Sequence, residues 1–182
     1  MQSRRHPTSL QEHSSTVNEA APPAGQAQNA NPRVSTPLRL WALDAEDLAI
    51  VSSHMQEALL TPTNAVWLPK QRRFALACER LDWIDSNDEQ WLRRESGLHF
   101  DHVVRVERSG FGADSKALQL MEIRFVGTTI PEGLIDLVFK GGETIRLHVE
   151  CVEACLRDLG EPEPTTIPPT SQRRLPQDRF SR

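Results

Sequence analysis

Hydrophobic and polar residues alternate along two neighbouring stretches near the C-terminal end of the chain. Apolar side chains occupy every second position in residues 135–139 and again in residues 145–149. A period of two is typical of strands that bury one face. Gly141 and Gly142 lie between the two runs and supply the positive φ angles that a tight hairpin turn requires. The pattern therefore predicts a β-hairpin.

The hydrophobic period becomes helical directly after this hairpin. On a helix of 3.6 residues per turn, one stripe would hold Val149, Val152, Cys155, Leu156 and Leu159. Gly160 follows the stripe and suits the left-handed conformation that often ends a helix. We therefore predict an amphipathic helix that closes the domain.

The domain begins with a shorter helix. Asp44 is placed as its N-cap, and residues 45–54 lead to an apolar face at Leu48, Val51 and Met55. Alternating or apolar stretches then predict strands at residues 55–60, 65–68, 72–83, 98–107 and 118–125.

Two irregular features interrupt these strands. Within residues 72–83 the apolar positions shift by one residue, which predicts a β-bulge near Glu79–Arg80. Residues 85–95 are polar and charged, and we predict a loop there that holds Trp91.

These elements predict a β-rich α+β domain with about seven strands, most of them antiparallel. A short N-terminal helix and a closing C-terminal helix around them favour a strongly bent sheet or open barrel. A pleckstrin-homology-like barrel has this order of elements, and the last helix would fill its open end. A sheet with both helices packed on one face is the alternative.

The two ends of the chain differ in composition from its centre. Residues 1–37 are rich in Ser, Ala, Pro, Asn and Gln, and residues 161–182 are rich in proline. Neither segment has enough large apolar side chains to offset the entropy of ordering, about 1–2 kcal/mol per residue. We therefore expect two disordered tails around a single folded domain at residues 38–160.

The charge of this domain argues against nucleic-acid binding. Residues 38–160 contain 14 Lys and Arg against 20 Asp and Glu, a net charge of −6, and each tail carries +1. Nucleic acids are bound by basic surfaces. The three cysteines have no disulfide-framework spacing, and no apolar run approaches the roughly 18 residues of a membrane span. We expect a cytoplasmic protein without a membrane span.

Four segments that follow one another along the chain resemble one family. They read LWALDAEDLAIVSSHMQEA, RRFALACERLDW, SGLHFDHVVRV and VFKGGETIRLHVECVEACLRDLG. The family is domain-of-unknown-function family number 2948, found mainly in alphaproteobacteria, and the resemblance covers about residues 38–160. It implies an uncharacterised bacterial domain and brings no activity, cofactor or catalytic residue. The chain departs from the family pattern in its long tails and at Cys155, where a non-cysteine is usual.

His148, Cys151 and Cys155 have a spacing at which His and Cys can bind zinc. However, Cys155 lies on the apolar stripe of the predicted helix, and a buried cysteine behaves as a small hydrophobic residue. No second pair of ligands accompanies the three, and the departure from the family pattern at Cys155 weakens the zinc interpretation further. We expect no metal site and no cofactor.

His99, Asp101 and Arg105 would share the polar face of one predicted strand. A histidine beside a carboxylate can act as a general base, but mixed charges on an exposed strand are more typical of cross-strand pairs. The chain has no G-x-S-x-G motif and no glycine-rich loop that opens a helix. We therefore assign no catalytic residue.

Four residues are candidates for an interaction surface: Lys70, Arg72, Arg73 and Trp91. The basic residues cluster at the start of a strand, where they could contact phosphorylated head groups or an acidic partner. The acidic balance of the domain favours a solvated hairpin end instead. Trp91 lies in the charged loop, where an aromatic ring can be exposed or can cover a sheet edge.

Two classes of function stay open. The first is a small non-enzymatic binding or adaptor domain that holds a protein partner through a sheet edge or through the loop around Trp91. The lack of catalytic motifs favours it. The alternative is a small-ligand-binding protein or an enzyme with a pocket inside the bent sheet.

Overall fold

A computed structural model describes residues 36–86, 90–112 and 117–170. This part of the chain contains one α-helix and ten β-strands. In chain order they are β1 (Arg39–Ala42), α1 (Ala45–Met55), β2 (Leu59–Leu60), β3 (Ala65–Leu68), β4 (Arg73–Leu81), β5 (Trp91–Phe100), β6 (Val103–Ser109), β7 (Leu118–Thr129), β8 (Glu132–Phe139), β9 (Thr144–Val149) and β10 (Ala154–Thr165).

All ten strands belong to one open antiparallel sheet. Nine follow the order β1-β10-β5-β4-β2-β7-β8-β9-β6, and β3 pairs with β4 beside that path. The predicted β-rich, mostly antiparallel architecture is confirmed, although the number of strands is larger than seven.

Helix α1 has the predicted start and the predicted buried face. The side chain of Asp44 accepts a hydrogen bond from the Asp47 N–H at 2.8 Å, which caps the first turn. Leu48, Val51 and Met55 are buried, and the helix packs mainly on β7. No helix in the described residues has the length and apolar character of a membrane-spanning segment.

The predicted hairpin is formed by β8 and β9. Ile135 pairs with Leu147 and Leu137 with Ile145, and all four are buried in the apolar core. Gly142 has a φ of 92° in the connecting turn, a conformation that glycine adopts without steric cost.

A buried carboxylate lies on the opposite face of this hairpin. Asp136 accepts hydrogen bonds from Nε and Nη2 of Arg146 at 2.7 and 2.9 Å, and from Arg124 at 3.4 Å. These residues are cross-strand neighbours, since Asp136 pairs with Arg124 on β7 and with Arg146 on β9. The hydrogen bonds from Arg146 are the main cause of the lowered pKa of Asp136.

The predicted closing helix is wrong, because its second half forms strand β10. This strand lies between β1 and β5. Its side chains alternate: Leu156 and Asp158 are buried, whereas Arg157 and Leu159 are exposed. The helical stripe was a coincidence of spacing that left out Asp158, a charged residue that points inward. The element that suggested a pleckstrin-homology-like barrel is therefore not present in the described chain.

Strand β10 also continues past the predicted domain boundary at Gly160. Pro162 and Pro164 pair with Arg94 and Leu92 of β5, so residues 161–165 belong to the sheet. Prolines are tolerated there because β1 ends its pairing at Arg157, which leaves the rest of β10 at a sheet edge. Most of the two predicted tails lies outside the described residues.

Two further predictions for β4 and β5 are wrong. The pairing of these strands runs from Phe74 to Leu81 without a register shift, so β4 has no bulge at Glu79–Arg80 along this described length. Strand β5 begins at Trp91, inside the predicted loop. The predicted strand at 98–107 is divided between β5 and β6 by a turn at Asp101–His102.

The observed strand β10 and the helix predicted from the sequence differ in where they place Leu159. The strand exposes this side chain, whereas the predicted helix would bury it on its apolar stripe. In strand β10, Leu156→Ala should lower the free energy of unfolding by about 2–5 kcal/mol, because it empties space in the core. Leu159→Ala should lower it by less than about 1 kcal/mol, because this side chain is 57% exposed. Denaturant melts of the two variants give both values, and equal losses would contradict the strand.

The lowered pKa of Asp136 predicts a loss of stability in acid. Its folded-state pKa lies below the ordinary value of 3.8, so the unfolded chain binds a proton at a higher pH than the folded one. The stability that the ionised Asp136 contributes is complete when the pH is above the ordinary pKa. It is lost as the pH falls through the folded-state pKa. Between about pH 5 and pH 3, the free energy of unfolding from urea melts should therefore change less with pH in Asp136→Asn than in the wild type. An equal change in the two proteins would contradict this assignment.

Candidate functional site

A cavity of about 460 Å³ lies where β2, β4, β5 and the last part of β10 meet. Strands β4 and β5 supply its small and charged side chains, β2 and the turn after it supply apolar and polar ones, and the end of β10 forms a further wall. The lining residues are Leu59, Leu60, Thr61, Asn64, Ala77, Cys78, Glu79, Arg93, Glu95, Ala117, Gly160, Glu161, Glu163, Pro164 and Thr165.

Arg93 is the most unusual residue of this lining. Its side chain is only 5% exposed, and Nη1 donates hydrogen bonds of 3.0 Å to the backbone carbonyls of Glu57 and Glu79. Nε and Nη2 are buried and have no hydrogen-bond partner among the described residues. Burial lowers the pKa of Arg93, and the nearby Glu79 and Glu57 act in the opposite direction. Two donors of a buried guanidinium are thus left unsatisfied beside a cavity.

The backbone at Glu57 helps to hold Arg93 in place. Glu57 has a φ of 65°, in the left-handed region, and its carbonyl accepts one of the two Arg93 hydrogen bonds. Its buried carboxylate accepts hydrogen bonds from Gln119 and from the backbone N–H of Thr170. A single turn after α1 therefore joins β5, β7 and the segment that follows β10.

Most ionisable groups around the cavity are acidic. Among the described residues, Glu79, Glu95, Glu161 and Glu163 line it together with the guanidinium of Arg93. Glu79 and Glu95 pair directly across β4 and β5. In the described part of the chain, none of the four carboxylates takes part in a salt bridge. The cavity has a cationic group in its wall and an excess of negative charge around it.

On the other face of β4 and β5, the buried arginines Arg80 and Arg94 form hydrogen bonds with aspartates. Asp158 accepts Nε and Nη2 of Arg80 at 2.7 and 2.8 Å, together with the Ser96 hydroxyl and the Leu38 N–H. Burial alone would raise the pKa of Asp158, but the hydrogen bonds from Arg80, Leu38 and Ser96 lower it overall. Arg94 donates to Asp82 at 3.0 Å. We call the side chains of Arg80, Asp82, Arg94, Ser96 and Asp158 the ion network.

Cys78 is the one thiol in the cavity lining. Burial raises its pKa to about 12, and its Sγ donates to the carbonyl of Ser96. A thiol with this pKa is protonated at neutral pH, whereas the thiolate is the nucleophilic form. The Cys78 side chain is therefore in the non-nucleophilic thiol form at neutral pH.

The predicted interaction residues do not form one surface. Lys70, Arg72 and Arg73 lie at the start of β4, and Trp91 lies at the start of β5, which is the opposite end of this antiparallel pair. Arg72 forms an ion pair with Glu150. Trp91 is half-buried and packs edge-to-face on Trp83, with 6.4 Å between ring centroids.

His99 and Asp101 are close, but Arg105 is not with them. Asp101 accepts Nε and Nη2 of Arg73 at 2.6 and 2.9 Å, and these bonds are the main cause of its lowered pKa. The nearest His99–Asp101 contact is 3.6 Å, which is longer than a hydrogen bond. Arg105 lies on β6 and pairs with Glu107.

His148 lies on β9, Cys151 in the turn that follows it, and Cys155 on β10. His148 contacts Glu107 at 3.1 Å, whereas Cys155 is buried in β10. Across residues 36–86, 90–112 and 117–170, no group of three or more His, Cys, Asp or Glu side chains is arranged to hold a metal ion.

Sequence reasoning missed Arg93 because it lies in a segment that was assigned to a loop. Arg93 and Arg94 are both buried, yet two consecutive arginines among polar residues are typical of solvent-exposed chain. The only signal was their place directly before the alternating residues 96–100. That signal shows neither burial nor a missing partner.

One comparison with known proteins identifies a family. A family model described as "Protein of unknown function (DUF2948)" matches residues 38–171, more than half of the chain. No curated protein and no solved structure matches the chain.

If Arg93 serves binding rather than folding, its removal should cost little stability. Arg93→Met should change the free energy of unfolding by less than about 1 kcal/mol, because two lost hydrogen bonds are offset by the removal of two unsatisfied donors. Arg80→Met should cost about 3–5 kcal/mol, because it leaves the buried Asp158 carboxylate without its closest counter-ion. Urea melts compare the two, and a loss of 3 kcal/mol or more for Arg93→Met would make Arg93 a structural residue.

Proposed function

The chain belongs to the DUF2948 family of proteins of unknown function, and from its own structure we propose that it is a non-enzymatic binding domain. Its site is the cavity beside Arg93, and its ligand is a small molecule that binds through a carboxylate group. The observation that carries this proposal is the unsatisfied Nε–Nη2 edge of the buried Arg93 guanidinium.

Three other arginines of this protein indicate what that edge binds. Arg73, Arg80 and Arg146 each use Nε and Nη2 together to hold the two oxygens of one aspartate, at distances of 2.6–2.9 Å. Two parallel hydrogen bonds of this kind match the planar fork of guanidinium to a carboxylate. Arg93 offers the same two nitrogens without an aspartate among the described residues.

The energetic cost of the arrangement also supports a binding role. A buried donor without a partner costs about 1–3 kcal/mol, and more when it is charged. Buried polar groups are satisfied in most native structures, so an exception calls for an explanation such as a ligand. Nε and Nη2 are shielded from water. An entering carboxylate therefore has to displace the side chains that shield them, and it would enter through the cavity that Arg93 lines.

The lining supports binding over catalysis. Among the described residues, its ionisable side chains are four glutamates, one arginine and Cys78, and the thiol is protonated because burial raises its pKa to about 12. General acid–base catalysis most often uses histidine, and the described residues of the lining include none.

The first of the two predicted classes, a domain that holds a protein partner, has less support. It depended on a sheet edge or on the loop around Trp91, and Trp91 instead begins β5 and packs on Trp83. The alternative, a small-ligand site, is favoured by Arg93, although the cavity lies at the junction of β2, β4, β5 and β10 and not within the apolar core.

The proposal is tested by titrating the protein with hexanoate, followed by calorimetry or by chemical-shift changes. The wild type should bind hexanoate saturably, and Arg93→Met should weaken binding at least tenfold because the carboxylate loses both donors. Arg105→Met is the matched control, since Arg105 is an exposed arginine on β6 outside the cavity. Equal binding by wild type and Arg93→Met, or no saturable binding at millimolar hexanoate, would contradict the proposal.

A further inference from the structure

Resting on the proposed function, we infer that the ligand is a small zwitterion of the amino-acid kind, with a cationic group as well as the carboxylate. Arg93 takes the carboxylate, and the Glu79–Glu95 pair takes the cation. The chemistry of these three side chains defines the class of ligand.

The charges around the cavity disfavour an anion with more than one negative group. Among the described lining residues, four glutamates stand against one guanidinium, so this described part of the lining has an excess of negative charge. Like charges in such a site repel and cost binding energy. Once one carboxylate of a ligand has paired with Arg93, a second carboxylate or a phosphate would face the glutamates.

The Glu79–Glu95 pair provides a specific place for a cation. The two residues are directly opposite each other on β4 and β5, an arrangement in which like charges destabilise a sheet. Neither carboxylate forms a salt bridge with a residue that the structure describes. A ligand ammonium between them would relieve this repulsion.

The spacing of the residues sets the approximate length of the ligand. Arg93 and Glu95 are two positions apart on β5, and positions two apart in a strand lie on the same face, about 7 Å from each other. Both line the same cavity. The carboxylate and the cation of the ligand should therefore be separated by several bonds, as in an ω-amino acid, a dibasic amino acid or a dipeptide. A cavity of about 460 Å³ is of the size that holds small molecules.

Four probes of equal chain length separate the contributions of the two ends: 6-aminohexanoate, hexanoate, hexylamine and adipate. The wild type should bind 6-aminohexanoate about tenfold more tightly than hexanoate, because only the former carries the cation. Adipate should bind more weakly than hexanoate, because its second carboxylate meets the glutamates. Hexylamine should also bind more weakly than 6-aminohexanoate, because it has no group for Arg93.

The double variant Glu79→Gln with Glu95→Gln assigns the cation site. In this variant, the affinity for 6-aminohexanoate should exceed that for hexanoate less than threefold, compared with about tenfold in the wild type. The affinity for hexanoate itself should be unchanged or higher. Glu122→Gln, at an exposed position on β7 outside the cavity, should retain the full advantage.

The outcomes distinguish this inference from the proposed function. If hexanoate binding depends on Arg93 but 6-aminohexanoate binds no more tightly than hexanoate, the zwitterion is wrong and the carboxylate site stands. If none of the probes depends on Arg93, both are wrong. Hexylamine that binds as tightly as 6-aminohexanoate would also overturn the zwitterion, since the glutamates would then bind a cation without help from Arg93.

Discussion

The pairing of Arg80 with Asp158 is the interaction on which the sheet depends. Asp158 lies on β10, Arg80 on β4 and Ser96 on β5, and all three side chains meet at one buried point. The Leu38 N–H, directly before β1, donates to the same carboxylate. Four consecutive segments of the sheet are thus joined through one aspartate. Removing one member would leave a buried charge without its partner, which is far more costly than the pair itself is stabilising.

This constraint also explains the position of the cavity beside the ion network. Strand β5 carries two consecutive arginines, whose side chains leave the backbone on opposite faces. Arg94 extends into the ion network and donates to Asp82. Arg93 extends to the other side, where Glu57 and Glu79 offer only backbone carbonyls to Nη1. The register that satisfies Arg94 therefore fixes Arg93 beside the cavity, with its Nε–Nη2 edge free of protein carboxylates in the described chain.

The same buried charges account for the errors of sequence-based prediction in this part of the sheet. Arg80 continues the inward series of β4, but a charged residue next to the buried Leu81 suggested a bulge. Asp158 is an inward residue of β10, and without it the remaining apolar positions matched a helix. A hydropathy pattern scores an arginine or an aspartate as exposed. Whether such a residue is buried depends on its counter-ion, which here lies between 12 and 78 positions away along the chain.

Where burial follows hydrophobicity alone, the sequence determined the structure. Helix α1 with its cap at Asp44, the hairpin of β8 and β9, and the β-rich antiparallel class all depend on local apolar periods and turn residues, which are read from neighbouring positions. Only the tertiary structure decided that residues 154–165 form a strand and that Arg93 lacks a partner beside a cavity. Both depend on charges brought together by distant strands, and the free energy of burying a charge is set by its surroundings in the fold and not by its neighbours in the sequence.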